Sequence, residues 1–248
     1  SDGDTCFNVG IGYEALKAVN EGDNNVAIGP KAGMSQTSGY GIVAIGCCAV
    51  ASSQSGNVNI GIGYYTLSSA TGSCNTAIGW AAGNQVSSSN HNIFLGTSAG
   101  QYNTTGNCNI ALGVCAGRGD ASSKSTAHHN ISLGTFAGQC ITSGGCNVLL
   151  GLCVGNKITT GACNVILGPE SGKLLTTAGN NVILGSQSAK NGILTGWNNF
   201  ISGYFSGNDL TSGDKNIFIG QYSGAEATTG ANNVFLGTAA GGNIQTAG

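Results

Sequence analysis

The chain has 248 residues, 44 of them glycine, with 7% charged residues, 2 prolines, 10 cysteines and a formal net charge of -2. Collagen needs glycine at every third position with abundant proline, and a disordered chain is charged or poor in aliphatics, so both classes are excluded. No basic patch exists to neutralise phosphates, which removes nucleic acid as an obvious partner, and no apolar run approaches the roughly 20 residues of a membrane-spanning helix.

A five-residue signature recurs in chain order, as Asn25-Val26-Ala27-Ile28-Gly29, Asn92-Ile93-Phe94-Leu95-Gly96, Asn164-Val165-Ile166-Leu167-Gly168 and Asn233-Val234-Phe235-Leu236-Gly237. With that asparagine as position one, units begin at 8, 25, 42, 59, 75, 92, 109, 130, 147, 164, 181, 199, 216 and 233. Ten of the thirteen intervals are 17 residues, and the exceptions are 16, 21 and 18. Positions two and four are aliphatic in nearly every unit, as in Val148 and Leu150, and this alternation predicts a short strand over positions two to four. Position three, on the other face, runs from Gly10, Ala27 and Ala44 to Leu149, Ile166, Ile183, Ile201, Phe218 and Phe235. The strand is therefore apolar on both faces in the second half of the chain. One face can line the inside of a coil; the other needs an opposite wall or another chain.

Glycine fills position five in all fourteen units, and it recurs at position nine (Gly33, Gly83, Gly100) and three places before the asparagine (Gly39, Gly106, Gly144). Fixed glycine offsets predict corners. A weaker second strand is predicted at Thr104-Thr105-Gly106, Thr142-Ser143-Gly144, Thr159-Thr160-Gly161 and Thr228-Thr229-Gly230. The predicted fold is all-β: a β-solenoid (β-roll or β-helix) of about fourteen turns in one repeat domain, about 65 Å long at about 4.8 Å per turn. Every unit but the one beginning at Ile42 starts with asparagine, which predicts a stacked amide ladder. The repeat begins by Asn8 and still runs at Thr246-Ala247-Gly248, so bare ends are expected to continue into more chain or to stack into a filament.

At Asn25-Val26-Ala27-Ile28-Gly29 and Asn75-Thr76-Ala77-Ile78-Gly79, and at Gly12-Tyr13-Glu14-Ala15-Leu16 and Gly63-Tyr64-Tyr65-Thr66-Leu67, the chain resembles two related repeat types. One is the head repeat of trimeric YadA-like autotransporter adhesins; the other is the Asn-Thr-Ala-Ile-Gly repeat of phage and giant-virus tail-fibre-like proteins. The resemblance implies an elongated, surface-exposed fibre, often trimeric, used for attachment. The 17-residue period is longer than that of the adhesin head, and neither a coiled-coil stalk nor a membrane anchor is read within these 248 residues.

Ten cysteines suit an oxidising compartment. Immediately before the asparagine stand Cys74, His91, Cys108, His129, Cys146 and Cys163, and two places after the invariant glycine stand Cys48, Cys115 and Cys153. Neighbouring turns lie within disulfide Cα reach, which makes Cys146 with Cys163 the expected intrachain bond. The Cys/His column has residue types that bind soft metals, but disulfides, buried thiols and surface histidines account for it as well, and neither metal nor cofactor is expected.

The 21-residue unit holds an inserted loop over about 118–127, with Arg118-Gly119-Asp120 as a candidate adhesion tripeptide and a plain solvated loop as the alternative. Candidate glycan acceptors are Asn103, in the sequon Asn103-Thr104-Thr105, and Thr105, Thr160, Thr177 and Thr229 of a Ser/Thr column. Asn130-Ile131-Ser132 is a second sequon, read as structural because it lies in a strand.

Ice binding is the weaker reading of that Ser/Thr column, since mixed Ser and Thr fit ladder hydrogen bonding better. An acyltransferase is suggested by Ile28-Gly29-Pro30-Lys31-Ala32-Gly33, which matches a hexapeptide of left-handed β-helix enzymes, with His128 as general base; only one side of the turn fits. No paired carboxylates, nucleophile and base set or phosphate loop is present. The expected function is a non-enzymatic extracellular fibre or filament subunit, at a cell or virion surface. Its expected partners are copies of itself, as trimer or end-to-end filament, and a surface glycan or host receptor; a receptor-binding adhesin or viral tail fibre is the alternative.

Overall fold

A computed structural model describes residues 7–242, so Thr246, Ala247 and Gly248 lie outside the described residues. Among these the chain forms fourteen three-residue strands and no helix, and so nothing long and apolar enough to cross a membrane as a helix. The chain is a β-solenoid with one strand per repeat, and it divides into two compact units at Thr126/Ala127. The first unit holds β1 (Val9–Ile11), β2 (Val26–Ile28), β3 (Val43–Ile45), β4 (Ile60–Ile62), β5 (Thr76–Ile78), β6 (Ile93–Leu95) and β7 (Ile110–Leu112). The second holds β8 (Ile131–Leu133), β9 (Val148–Leu150), β10 (Val165–Leu167), β11 (Val182–Leu184), β12 (Phe200–Ser202), β13 (Ile217–Ile219) and β14 (Val234–Leu236).

Within each unit every strand pairs in parallel with the next, position for position, as Val26↔Val43, Ala27↔Ala44 and Ile28↔Ile45 do, or Val165↔Val182, Ile166↔Ile183 and Leu167↔Leu184. All fourteen strands fall on positions two to four of the sequence repeat. The middle residue points inward. Ala27, Ala44, Ala77 and Phe94 are buried in the first unit, and Leu149, Ile166, Ile183, Ile201 and Phe218 in the second.

Two ladders hold the turns together. Inside, most asparagine Oδ1 atoms accept the backbone N–H and the Nδ2–H of the next asparagine in the same compact unit, while most Nδ2 groups also donate to a backbone carbonyl 13 to 15 residues on. Asn164 shows the full set: Nδ2 donates to Asn147 Oδ1 (3.0 Å) and Ala178 O (2.9 Å), and Oδ1 accepts from Asn181 N and Nδ2 (both 3.1 Å). At the exception, Ile42 N still donates to Asn25 Oδ1 (2.9 Å), and the buried isoleucine fills the amide's place. Between turns, the invariant glycines have φ near +125°, a region open only to glycine, and stack closely on one another.

The expected second strand is absent from the described residues; there the chain bends instead. Thr142, Ser143 and Gly144 all direct their N–H groups at Thr159 O (2.9, 3.2 and 3.1 Å), and Asn20, Glu21 and Gly22 converge likewise on Thr37 O. Three successive donors on one carbonyl describe a tight bend, not a ladder. The bend is tied to the next turn by hydroxyls, chiefly Thr37, Thr142, Thr159 and Thr211, with Thr71 and Thr195 from the expected Ser/Thr column. A second core column lies just before it, at position twelve, where Ile141, Ile158, Leu175 and Leu210 are buried.

Candidate functional site: the outward sheet face and its flanking columns

Positions two and four face outward in every strand. They form two aliphatic ladders per unit, such as Val43, Ile60, Thr76 and Ile93 beside Ile45, Ile62, Ile78 and Leu95, and Val148, Val165 and Val182 beside Leu150, Leu167 and Leu184. Most of these side chains are half-buried against their own ladder; Ile93 and Ile217 remain 40% and 39% exposed. Thr76 and Ser202 are the polar members at these positions, and none is charged. Parallel sheets are normally covered on both faces, so a charge-free aliphatic outer face on a parallel sheet is the surface that most needs a partner.

Two columns flank this face, and both adopt left-handed backbone in every unit. One is the residue before the asparagine, including Asn24, Val58, Cys74, His91, Cys108, His129, Cys146 and Cys163 (φ 52° to 60°). The other lies two after the invariant glycine and includes Lys31, Cys48, Tyr65, Cys115, Cys153, Glu170 and Phe205 (φ 52° to 58°). Asparagine is at home there; valine, cysteine and phenylalanine are not, so side-chain chemistry gives little hint of these corners. The two cysteine columns of the sequence are thus two backbone corners.

The structure holds Cys146 and Cys163 as free, exposed cysteines, so the expected bond is not made. Equivalent residues of parallel, in-register turns send their side chains in the same direction. Their Cβ atoms therefore stay near the strand spacing of about 4.8 Å, wider than the roughly 3.8 Å typical of a disulfide. Among the described residues no three His, Cys, Asp or Glu side chains assemble into a group that could hold a metal ion. Cys74, His91 and Cys108 lie in the first unit, and His129, Cys146 and Cys163 in the second.

The Arg118-Gly119-Asp120 tripeptide is half-buried rather than held out from its loop. Arg118 lies over the Tyr102 ring, 5.8 Å from its centroid, and Asp120 Oδ1 accepts from Ser122 N (2.8 Å), Ser122 Oγ (2.5 Å) and Ser123 N (3.1 Å). The Ser122 hydrogen bonds hold the Asp120 carboxyl below its ordinary pKa. Asn103 is buried, with Oδ1 accepting from Gly106 N at 2.9 Å, so the folded chain does not offer it as a glycan acceptor; Thr105, Thr160, Thr177 and Thr229 are exposed. Asn130 sits in the amide ladder, with Nδ2 on Gly144 O at 2.9 Å. His128 is exposed beside His129, their ring centroids 6.2 Å apart.

Further features went unnoticed in the sequence because they depend on stacking. Tyr204, Phe205 and Tyr222 form an outward aromatic cluster, with ring centroids 4.5 to 5.8 Å apart. Glu170 collects Lys190 (2.7 Å), Lys173 (3.1 Å) and Gln187 Nε2 (3.1 Å). The Lys190 and Lys173 hydrogen bonds lower the Glu170 pKa from 4.5 to about 2. A depressed carboxylate pKa stabilises the fold above the unfolded value and loses that contribution as pH falls through the folded one. The melting temperature should accordingly fall between pH 4.5 and about 2, and Glu170→Gln should flatten that part of the profile in thermal melts followed by circular dichroism. No family model, curated protein or solved structure matches the chain.

Proposed function

We propose that the chain is a non-enzymatic structural subunit of an extracellular fibre, which self-assembles through the outward face of its parallel sheet and serves attachment at a cell or virion surface. The observation that carries this reading is the pair of uncharged aliphatic ladders on that face. A second copy offers the same in-register aliphatic rows, and burying them gains about 25 cal/mol per Å² of apolar surface. The resemblance of Asn25–Gly29 and its repeats to adhesin heads and tail fibres supports the attachment role and a trimer as the assembly. The outward aromatic cluster of Tyr204, Phe205 and Tyr222 supports an adhesive surface beside the self-association face.

Charges set into the ladders test this reading directly. Ile93→Lys with Ile217→Lys replaces two part-exposed side chains, so the fold should survive while the assembly dissociates. Sedimentation velocity should give multiples of 24.5 kDa for the wild type and a monomer for the double variant. A wild-type protein that sediments as a monomer at micromolar concentration would sink the proposal.

A further inference from the structure

We propose that Cys47 and Cys48 are a dithiol modification site that closes into a vicinal disulfide when the protein meets a small-molecule disulfide. Neighbouring side chains in an extended strand leave opposite faces, which keeps adjacent cysteines apart. Here the corner after the invariant Gly46 brings them together: Cys48 takes φ +56°, and the two sulfurs lie 3.5 Å apart. The same convergence of these two positions recurs at Tyr64–Tyr65 and Tyr204–Phe205, both with ring centroids at 4.5 Å, so it belongs to the repeat backbone and not to one rotamer.

The peptide between the cysteines is also pinned from both sides. Cys48 N donates to Pro30 O (3.0 Å) in the preceding turn, and Cys47 O accepts from Tyr65 N (3.0 Å) in the following one. Both cysteines are part-exposed, which lets a small reagent in. The site is the reverse of Cys146 and Cys163, where stacking sets the spacing; here a single corner sets it. The hydrogen bond between the two thiols holds the Cys47 pKa above its ordinary value, so its proton is released chiefly when its neighbour reacts.

The steps balance with glutathione disulfide as oxidant. One thiolate attacks a sulfur of the reagent, forming a protein–glutathione mixed disulfide and expelling one glutathione thiolate. The second thiolate then attacks the protein sulfur of that bond, closing the Cys47–Cys48 ring and releasing a second glutathione. In sum, two protein thiols lose two electrons and two protons to one glutathione disulfide. Adjacent Cα atoms stand about 3.8 Å apart, closer than the usual disulfide range, so the ring is expected to open readily with mild thiol reductants.

The test uses the full chain, reduced, exposed to glutathione disulfide, blocked with N-ethylmaleimide, digested and read by mass spectrometry. The expected peptide containing Cys47 and Cys48 is lighter by two hydrogens than its reduced form, carries no maleimide, and reverts with dithiothreitol. Cys47→Ser removes the resolving thiol, so its Cys48 should retain one glutathione. Maleimide on both wild-type cysteines after oxidation, glutathione persisting on either, or a bond from either to another cysteine would overturn the proposal. The wild-type peptide masses decide the matter even if the variant fails to fold.

Discussion

Gly151→Ala is expected to cost about 3 to 5 kcal/mol, from forced backbone conformation and overpacking together. The glycine has φ +139°, which no L side chain adopts at ease, and an added Cβ would lie 2.8 Å from both the carbonyl carbon and the oxygen of Gly168 in the next turn. Neither atom can yield, because Gly168 is the next invariant glycine and repeats the constraint against Gly185. Thermal unfolding should shift down by about 10 °C or more, on a scale of roughly 2 to 4 °C per kcal/mol for a domain of this size. Repeat stacks lose stability locally, so hydrogen exchange should rise first in the turns around Val148 and Val165. An unchanged melting temperature would mean that these turns are not stacked glycine on glycine.

Asn164→Ala comes second, at about 3 kcal/mol. It removes both Nδ2 donations and the acceptor that holds Asn181 N and Nδ2, stranding a buried backbone N–H at about 1 to 3 kcal/mol. The chain supplies its own control at Ile42, where an aliphatic side chain fills the column and the incoming bond from Asn25 is kept. Asn164→Ile should therefore cost less than Asn164→Ala, because it fills the space while losing the same bonds. Urea melts of the two variants separate packing from hydrogen bonding: equal midpoints would show that the amide bonds alone matter, and a milder isoleucine variant that the cavity does too.

The repeat was legible because its strongest constraints leave a fixed residue type. Only glycine tolerates φ near +125° beside another backbone, and a side-chain amide supplies two donors and an acceptor at one position where a hydroxyl has a single donor, so Gly29 and Asn25 recur without help from context. The aliphatic alternation of Val148 and Leu150 placed the strands to the residue. What stayed hidden depends on neighbours. Ile158 and Leu175 form a core column, but Ile158 stands alone between Lys157 and Thr159 and Leu175 directly follows Leu174, so no period of two shows it. Val58 and His91 sit at left-handed corners that their residue types disfavour, because the ladder on either side dictates the backbone.

The threonines of Thr142 and Thr159 read as a strand from their type, yet their bend is set by a shared carbonyl that only stacking provides. Within the candidate site, the outer aliphatic face was foreseen as one of two apolar faces, and the structure assigns it to positions two and four. Asn103 reads as a sequon in a turn and is buried, since it stands at position twelve of its unit, the inward column that Ile141 and Ile158 fill elsewhere.

Electron microscopy of the purified wild-type protein tests self-assembly most directly. Fibres several chains across, dispersed by the Ile93→Lys and Ile217→Lys pair, are the expected result; a field of isolated single-chain particles, unchanged by those charges, would contradict it.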